Sequence, residues 1–280
     1  MTDERSPWTA HRKRAEVLRQ RHGFAAQVLG LYLGIVDVWA YAWKVVERDQ
    51  PAPDRLAGWA VENVLPGIAE ATIVAGPPPL AAATRELLTA GGLEESMAAW
   101  LAGADLPPVQ LYLARACLSA PLQAMDAAAA CSADPAPRDG RHCPRCGGLP
   151  QLSVRSAAGD PLVSGARRLV CARCADSWNY SRSACPFCGE TRGSQRTVYA
   201  EESVTPRRDP VVGPGEPDEP ARFPHLRIEA CATCERYVID IDLGRDGQAV
   251  PEVDELSALP LDLYAADHGL TKITPNIMGF

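Results

Sequence analysis

Eight of the chain's ten cysteines fall into four pairs of one spacing: Cys143-Pro-Arg-Cys146, Cys171-Ala-Arg-Cys174, Cys185-Pro-Phe-Cys188 and Cys231-Ala-Thr-Cys234. Two intervening residues let a tight turn aim both sulfurs at one point, so each pair supplies half of a tetrahedral site and four pairs supply two. Disulfides within the pairs would close loops too small to restrict the unfolded chain much. The thiols are therefore read as reduced and metal-bound, which points to the cytoplasm.

The order of the pairs suggests how they are shared. The first and third read Cys-Pro-x-Cys-Gly, ending in Gly147 and Gly189, whereas the second and fourth lack both the proline and the glycine. Glycine lets the backbone curl and aim amide hydrogens at sulfur. One unit thus occurs twice: a Cys-Pro-x-Cys-Gly turn, intervening strands, then a plain Cys-x-x-Cys turn. Cys143, Cys146, Cys171 and Cys174 form site one, and Cys185, Cys188, Cys231 and Cys234 form site two. A cross-braced alternative joins the first pair to the third and the second to the fourth. Four-thiolate sites suit zinc or iron, and the same turn occurs in rubredoxin-type iron sites and in zinc ribbons. Zinc is the simpler choice on ligand chemistry, and a full set of four protein ligands argues against catalysis at the metal. His142 and His225 adjoin these regions but are not needed as ligands.

The 280 residues, 46% hydrophobic and 22% charged, are those of a folded protein with room for two domains. Ala, Leu and Trp recur at helical intervals up to about residue 131, interrupted by Pro51-Ala-Pro53, Pro77-Pro-Pro79 and Pro107-Pro108. Prolines mark helix ends, which predicts helices over 9–22, 80–90, 93–103 and 108–130. Trp39, Trp43, Trp59 and Trp100 are expected in the core, as are Cys117 and Cys131. The apolar run from Phe24 to Val46 imitates a membrane span or a signal sequence, but Asp37 in its middle disfavours a span, and a buried helix is expected. The polar stretch 132–140 reads as a linker. The fold class is α+β: an all-α domain over 1–135, a first metal module over 142–192 and a second over 185–245. An exposed loop occupies 205–224, and a tail over 246–280 carries a short helix that packs back. Short β-like runs are expected at 168–170, 178–180, 197–199 and 237–241.

Charge weighs against nucleic acid as a partner. Residues 136 to 250 contain 16 Arg, no Lys and 15 Asp plus Glu, with no concentrated basic block. Eight thiolates and two divalent ions together add -4, which takes the formal charge of the whole chain from -7 to -11. On a strand of period two, Trp178 would share a face with Tyr180 and Arg182; an aromatic lid over site one is the plainer role for that face, contact with a partner the other.

The stretches His142-Cys-Pro-Arg-Cys-Gly-Gly-Leu-Pro150, Cys171-Ala-Arg-Cys-Ala-Asp-Ser-Trp178 with Arg182 and Cys185, and Ile228-Glu-Ala-Cys-Ala-Thr-Cys-Glu-Arg-Tyr237 resemble the formate dehydrogenase accessory proteins, the FdhE family. The tail from Val253 to Asn276 is also similar. The resemblance implies a cytoplasmic maturation factor, not an enzyme, with a helical domain followed by two tandem rubredoxin-like modules that bind two iron ions. It implies the catalytic subunit of formate dehydrogenase as partner, and places Glu229 and Tyr237 as supports of the second site. This chain departs from full rubredoxin character at Ala175 and Glu235, where the second and fourth turns end, and the 205–224 loop looks like an insertion. An electron carrier and a zinc-ribbon nucleic-acid module are the alternatives. Asp254 and Asp262 are expected to cap or flank the C-terminal helix.

Overall fold

A computed structural model describes residues 7–131, 139–156, 165–201 and 221–280. Residues 132–138 of the expected linker and 205–220 of the expected loop lie outside the described residues.

Helices α1 (Trp8–Arg21), α2 (Ala26–Asp49), α3 (Leu56–Asn63), α4 (Leu65–Ala75), α5 (Pro78–Ala90), α6 (Leu93–Leu101), α7 (Pro108–Ala124) and α8 (Ala127–Ala130) build the N-terminal part. Pro78 and Pro108 take the first helical positions of α5 and α7, where the missing amide hydrogen has no partner to lose. The continuous helix expected over 108–130 is instead broken. Pro121 cannot donate to the carbonyl four residues earlier, and after Ala124 the chain is extended at Met125 before α8 begins.

The helix expected over 9–22 ends at Arg21, and after non-helical His22 a single turn over Gly23–Ala25 leads into α2. Residues 23–49 are long and apolar enough to cross a membrane by length and composition. In this fold α2 packs against α1, α4 and α7, burying Leu29, Leu31, Tyr32, Ile35, Val36 and Trp39. Asp37 stays at the surface, paired with Arg12. Trp39 and Trp100 are buried as expected. Trp43 and Trp59 sit only partly in the core and turn their ring nitrogens outward to Glu47 at 3.0 Å and Asp49 at 3.2 Å, since an indole N–H needs an acceptor.

Among the described residues seven strands follow: β1 (Pro150–Arg155), β2 (Arg167–Cys171), β3 (Ser177–Asn179), β4 (Arg196–Tyr199), β5 (Leu226–Cys231), β6 (Arg236–Asp242) and β7 (Thr271–Lys272). Strands β1–β2–β3 form one antiparallel group and β4–β5–β6 another, each built around one cysteine unit. Parallel pairing of β1 with β6, with Leu152 opposite Ile239 and Val154 opposite Ile241, fuses the two groups into a single sheet. The repeated unit of the sequence is thus a repeated strand group, and the two share one sheet. Two helices rather than one short one follow, α9 (Pro251–Ser257) and α10 (Leu259–Asp267), α9 packing on α1 and α10 on β5, and β7 joins the side of β6.

The core has two parts. One runs through the helices and takes in Cys143, Cys146, Cys171, Cys174, Leu169 and Trp178. The other lies under the sheet, between Leu152, Val154, Ile228, Ile239 and Ile241 and the C-terminal helices.

Polar contacts lock the parts together. Arg14 of α1 donates to both carboxylate oxygens of Asp254 on α9, Nε at 2.9 Å, and also to Asp246 at 2.6 Å. His225 reaches Asp254 at 2.7 Å, and the Val250 amide donates to Asp254 at 2.8 Å. Asp254 does cap α9, then, but its carboxylate chiefly joins the helical part to the C-terminal segment. Asp262 does not cap α10: it is buried, accepts from the Tyr237 hydroxyl at 2.8 Å and lies 3.1 Å from Lys272.

Candidate metal centres

The four turns are alike in backbone although not in sequence. In the first and third, Gly147 and Gly189 donate to the carbonyls of Cys143 and Cys185 with φ of 73° and 78°. In the second, Ala175 donates to the Cys171 carbonyl with φ of 53°, and in the fourth Glu235 takes φ of 54°. The absence of glycine from the second and fourth turns therefore changes their strain and not their shape. A side chain in this left-handed region costs about 1–2 kcal/mol. Replacing Ala175 or Glu235 by Gly is expected to raise stability by about 0.5–1 kcal/mol each, once the greater freedom of glycine in the unfolded chain is subtracted. Urea titration of each variant checks this; a loss of stability at both positions would contradict the strain. Gly148 has a different role: a Cβ there would come within 2.8 Å of the Cys171 sulfur, so the missing side chain is what admits that sulfur.

These turns bring the cysteines together in two groups, each drawing on the first and second halves of one unit. In site one, Sγ of Cys143 lies 3.7 Å from that of Cys174, and Cys146 lies 3.4 Å from Cys171. In site two, Cys185 lies 3.8 Å from Cys234, and Cys188 lies 3.7 Å from Cys231. Within each group all sulfurs are within 4.8 Å of one another. The cross-braced alternative is not what this fold contains. A tetrahedron of thiolates about 2.3 Å from a metal has edges of about 3.8 Å, whereas a disulfide needs about 2.05 Å. The spacing fits a metal ion and not sulfur–sulfur bonds, and all ten cysteines are free. Each group can hold one ion, with zinc and iron equally compatible with four sulfurs.

Backbone amides support the sulfurs: Arg173 N–H points at the Cys171 sulfur at 3.3 Å and Phe187 N–H at that of Cys185 at 3.5 Å. With only protons to share, the thiols of site one divide their roles. Hydrogen bonds from Cys131, Cys143, Cys171 and Cys174 hold Cys146 well below the usual thiol range, while those same bonds push Cys131 and Cys174 up. Four sulfurs crowded in this way favour a cation that displaces their protons.

Cys131 is a residue that sequence reasoning missed. It is buried, as expected for a core residue, but its thiol stands beside Cys146. No spacing signal exists for it, because it lies at the end of α8 and reaches site one only through tertiary packing. Arg145 similarly ties the first turn to the helical part by donating to the Met125 carbonyl at the end of α7.

The two sites differ in burial. Every cysteine of site one is buried within the helical core, whereas Cys188 and Cys234 of site two are partly open to solvent. They are also bridged: the Tyr180 hydroxyl donates to the Cys185 carbonyl at 2.9 Å, and Arg141 donates to the Phe187 carbonyl at 2.8 Å. The Arg236 guanidinium covers the Phe187 ring at 4.2 Å.

The remaining candidate residues are spread apart. Trp178 lies against site one in the core and donates from Nε1 to the Gly140 carbonyl at 2.7 Å, which is a lid's position. Arg182 does not share that face; β3 ends at Asn179, and Arg182 is exposed, donating to the Gly165 carbonyl. Glu229 touches no cysteine sulfur and instead gathers Arg227, Arg167 and Arg196 at 2.6, 2.7 and 3.1 Å. Tyr237 is spent on Asp262. His142 pairs with Asp139. His225, Asp246 and Asp254 cluster closely enough to suggest another cation site, but the Arg14 guanidinium already serves as their cation.

No protein-family model matches the chain. The protein FdhE homolog of Aquifex aeolicus is 29% identical over 139 residues, which is 50% of this chain and 42% of that protein. That of Pseudomonas aeruginosa is 31% identical over 136 residues, 49% of this chain and 38% of the relative, and that of Rhizobium meliloti is 27% identical over 210 residues, 71% and 61%. The chain thus matches less than two thirds of the length of these relatives. The crystal structure of the FdhE protein from Pseudomonas aeruginosa superposes with a TM-score of 0.64 at 21% identity, covering 99% of this chain and 97% of that one, and so shares its fold. With the helical part, the fused sheet and the two cysteine tetrads in place, the chain is similar to FdhE proteins in sequence over about half of its length and shares the fold of one of them.

Proposed function

We propose that this chain is an accessory factor for formate dehydrogenase, one that binds the immature catalytic subunit in the cytoplasm and is needed for its activation. The observation that carries this reading is the pair of four-sulfur groups set in one sheet of an FdhE-family fold. Four protein ligands at each group leave no open position for a substrate on the metal, which fits a binding role better than catalysis. Ten free cysteines fit a reducing compartment. Two ions are expected per chain, iron by family likeness and zinc by ligand chemistry alone.

Site two is the part of this machinery closest to solvent, and the proposed contact with the client lies there. Affinity capture with the immature catalytic subunit tests it. The native chain is expected to retain the subunit, and the chain carrying Cys185→Ser with Cys188→Ser is expected to lose it. Equal capture by both would remove site two from the contact, and no capture by the native chain would remove the partner.

The same exposure favours a second reading, an electron-transfer site at the Cys188 and Cys234 edge. It requires reversible one-electron reduction of the iron-loaded protein. An iron-loaded sample with no such wave under voltammetry rules it out.

A further inference from the structure

A cavity of about 350 Å³ opens between α2, the start of α5, α7 and the final residues of the chain. That volume lies within the range of small-molecule sites, about 300–1,000 Å³. Its walls are mostly apolar, among them Val28, Leu31, Leu80 and Val109.

Four polar side chains break this apolar lining: Gln27 is exposed, the Tyr112 hydroxyl is paired with Thr72 at 2.6 Å, and Arg115, 6% exposed, and Asn276, 1% exposed, are buried. Among the described residues, Arg115 is the one charged side chain in the wall. Its guanidinium donates to the carbonyls of Pro275 at 2.7 Å and Asn276 at 3.0 Å, and to the Gln151 side-chain oxygen at 2.7 Å. These are all neutral acceptors, and they use three of the five N–H groups a guanidinium carries. The negative charge of Glu255 reaches Arg115 only at a remove, through Gln151, and Glu255 is itself paired with Lys272 at 2.7 Å. Burial accordingly lowers the Arg115 pKa to about 10.

The Asn276 carboxamide is also half used. Its oxygen accepts from the amides of Met278 at 2.9 Å and Phe280 at 3.4 Å, while its Nδ2 is buried without an acceptor. A buried donor without a partner costs about 1–3 kcal/mol. A buried arginine that lacks a direct counter-ion is costlier still. Both deficits fall at one cavity and both call for the same thing, an oxygen acceptor bearing negative charge.

We propose that this cavity binds a small carboxylate with an apolar body, its carboxylate received by Arg115 and Asn276 and its body held among the α2, α5 and α7 side chains. The carboxylate matches a guanidinium in shape and charge, and the apolar body matches walls that offer it nothing else. The proposal stands on the cavity alone and does not depend on the proposed client.

Octanoate is the probe, with 1-octanol and acetate as comparisons, each titrated calorimetrically into the full metal-loaded chain. Octanoate is expected to bind one per chain and to raise the melting temperature with concentration. 1-Octanol, lacking the charge, and acetate, lacking the body, are expected to bind at least tenfold more weakly. Because Arg115 also holds the tail carbonyls, the variants are made elsewhere. Val109→Trp fills the cavity, and Asn276→Asp keeps both oxygen contacts while giving Arg115 an internal counter-ion; each is expected to weaken octanoate at least tenfold. Absence of saturable octanoate binding to the native chain overturns the proposal, as does 1-octanol binding as tightly as octanoate. Unchanged octanoate binding in a folded Asn276→Asp or Val109→Trp chain overturns it too.

Discussion

Replacing Cys171 by Ser is expected to remove one of the two bound ions and to abolish the cooperative unfolding transition, whereas replacing Cys188 by Ser removes one ion and leaves that transition in place. The asymmetry follows from where the two sulfurs sit. Cys171 is 3% exposed, ends β2, and belongs to the same apolar cluster as α2, α6 and α7. Its group is wedged between Trp178, Cys131 and the Arg173 side chain, which lies over the Trp100 ring at 5.3 Å. Metal held by four thiolates contributes about 10–16 kcal/mol to the folding of small domains, and a whole domain has only about 5–15 kcal/mol of net stability. Losing such a site inside the main core therefore exceeds what the remaining packing can sustain. Without its ion, the three other buried thiols of site one would share protons in a space shaped for a cation.

Site two belongs to neither apolar cluster, and Cys188 is partly exposed. Its loss is expected to be confined to local opening of the neighbouring edge around β4, while the two apolar clusters keep their own cooperative transition. Metal analysis by mass spectrometry together with thermal unfolding checks both halves. Equal destabilisation by the two substitutions would show that the cores do not depend on site one in the way its burial implies.

Asp254→Ala is the second large effect. Asp254 is completely buried and compensates Arg14 and His225 at once, while its oxygen also accepts the Val250 amide that opens α9. Removing one partner of a buried ion pair costs about 3–5 kcal/mol, because the other charge stays in a medium that solvates it poorly. In a chain of this size the expected fall in melting temperature is roughly 10 °C. Asp246 still reaches Arg14 Nη2 at 2.6 Å but is partly exposed, and Nε, which donates to Asp254, would lose its acceptor. The double variant Arg14→Met with Asp254→Leu is expected to recover part of the loss, since an apolar pair of similar volume needs no compensation. A double variant no more stable than Asp254→Ala alone would mean that the contact acts through shape and not through charge.

What could be read from the sequence was read where the cause is local. The four turns depend on residues only a few positions apart, so their spacing already specified two groups of four. The helices α1, α5 and α6 were visible because apolar period and proline positions agree within one stretch. Strands β1 and β5 were harder to see, because each carries buried polar residues: Ser153 sits under Asp240 at 2.7 Å, and Glu229 under three arginines. Such residues look like loop until their partners, 33 to 87 positions away in several cases, are in place.

By itself the sequence determined the donor set and the division into a helical part and a metal-bearing part, and it favoured pairing of turns within a unit over cross-bracing; the tertiary structure decided that choice. The tertiary structure alone decided that the two units fuse through β1 and β6, that Ala175 and Glu235 adopt the backbone of the glycines, that Cys131 stands beside site one, and that Arg115 meets Asn276 at a cavity. The reason is physical: a turn is set by sterics and hydrogen bonds among neighbours in the chain, whereas burial, and the deficit of a charge or donor left inside, exists only once distant segments have closed over it.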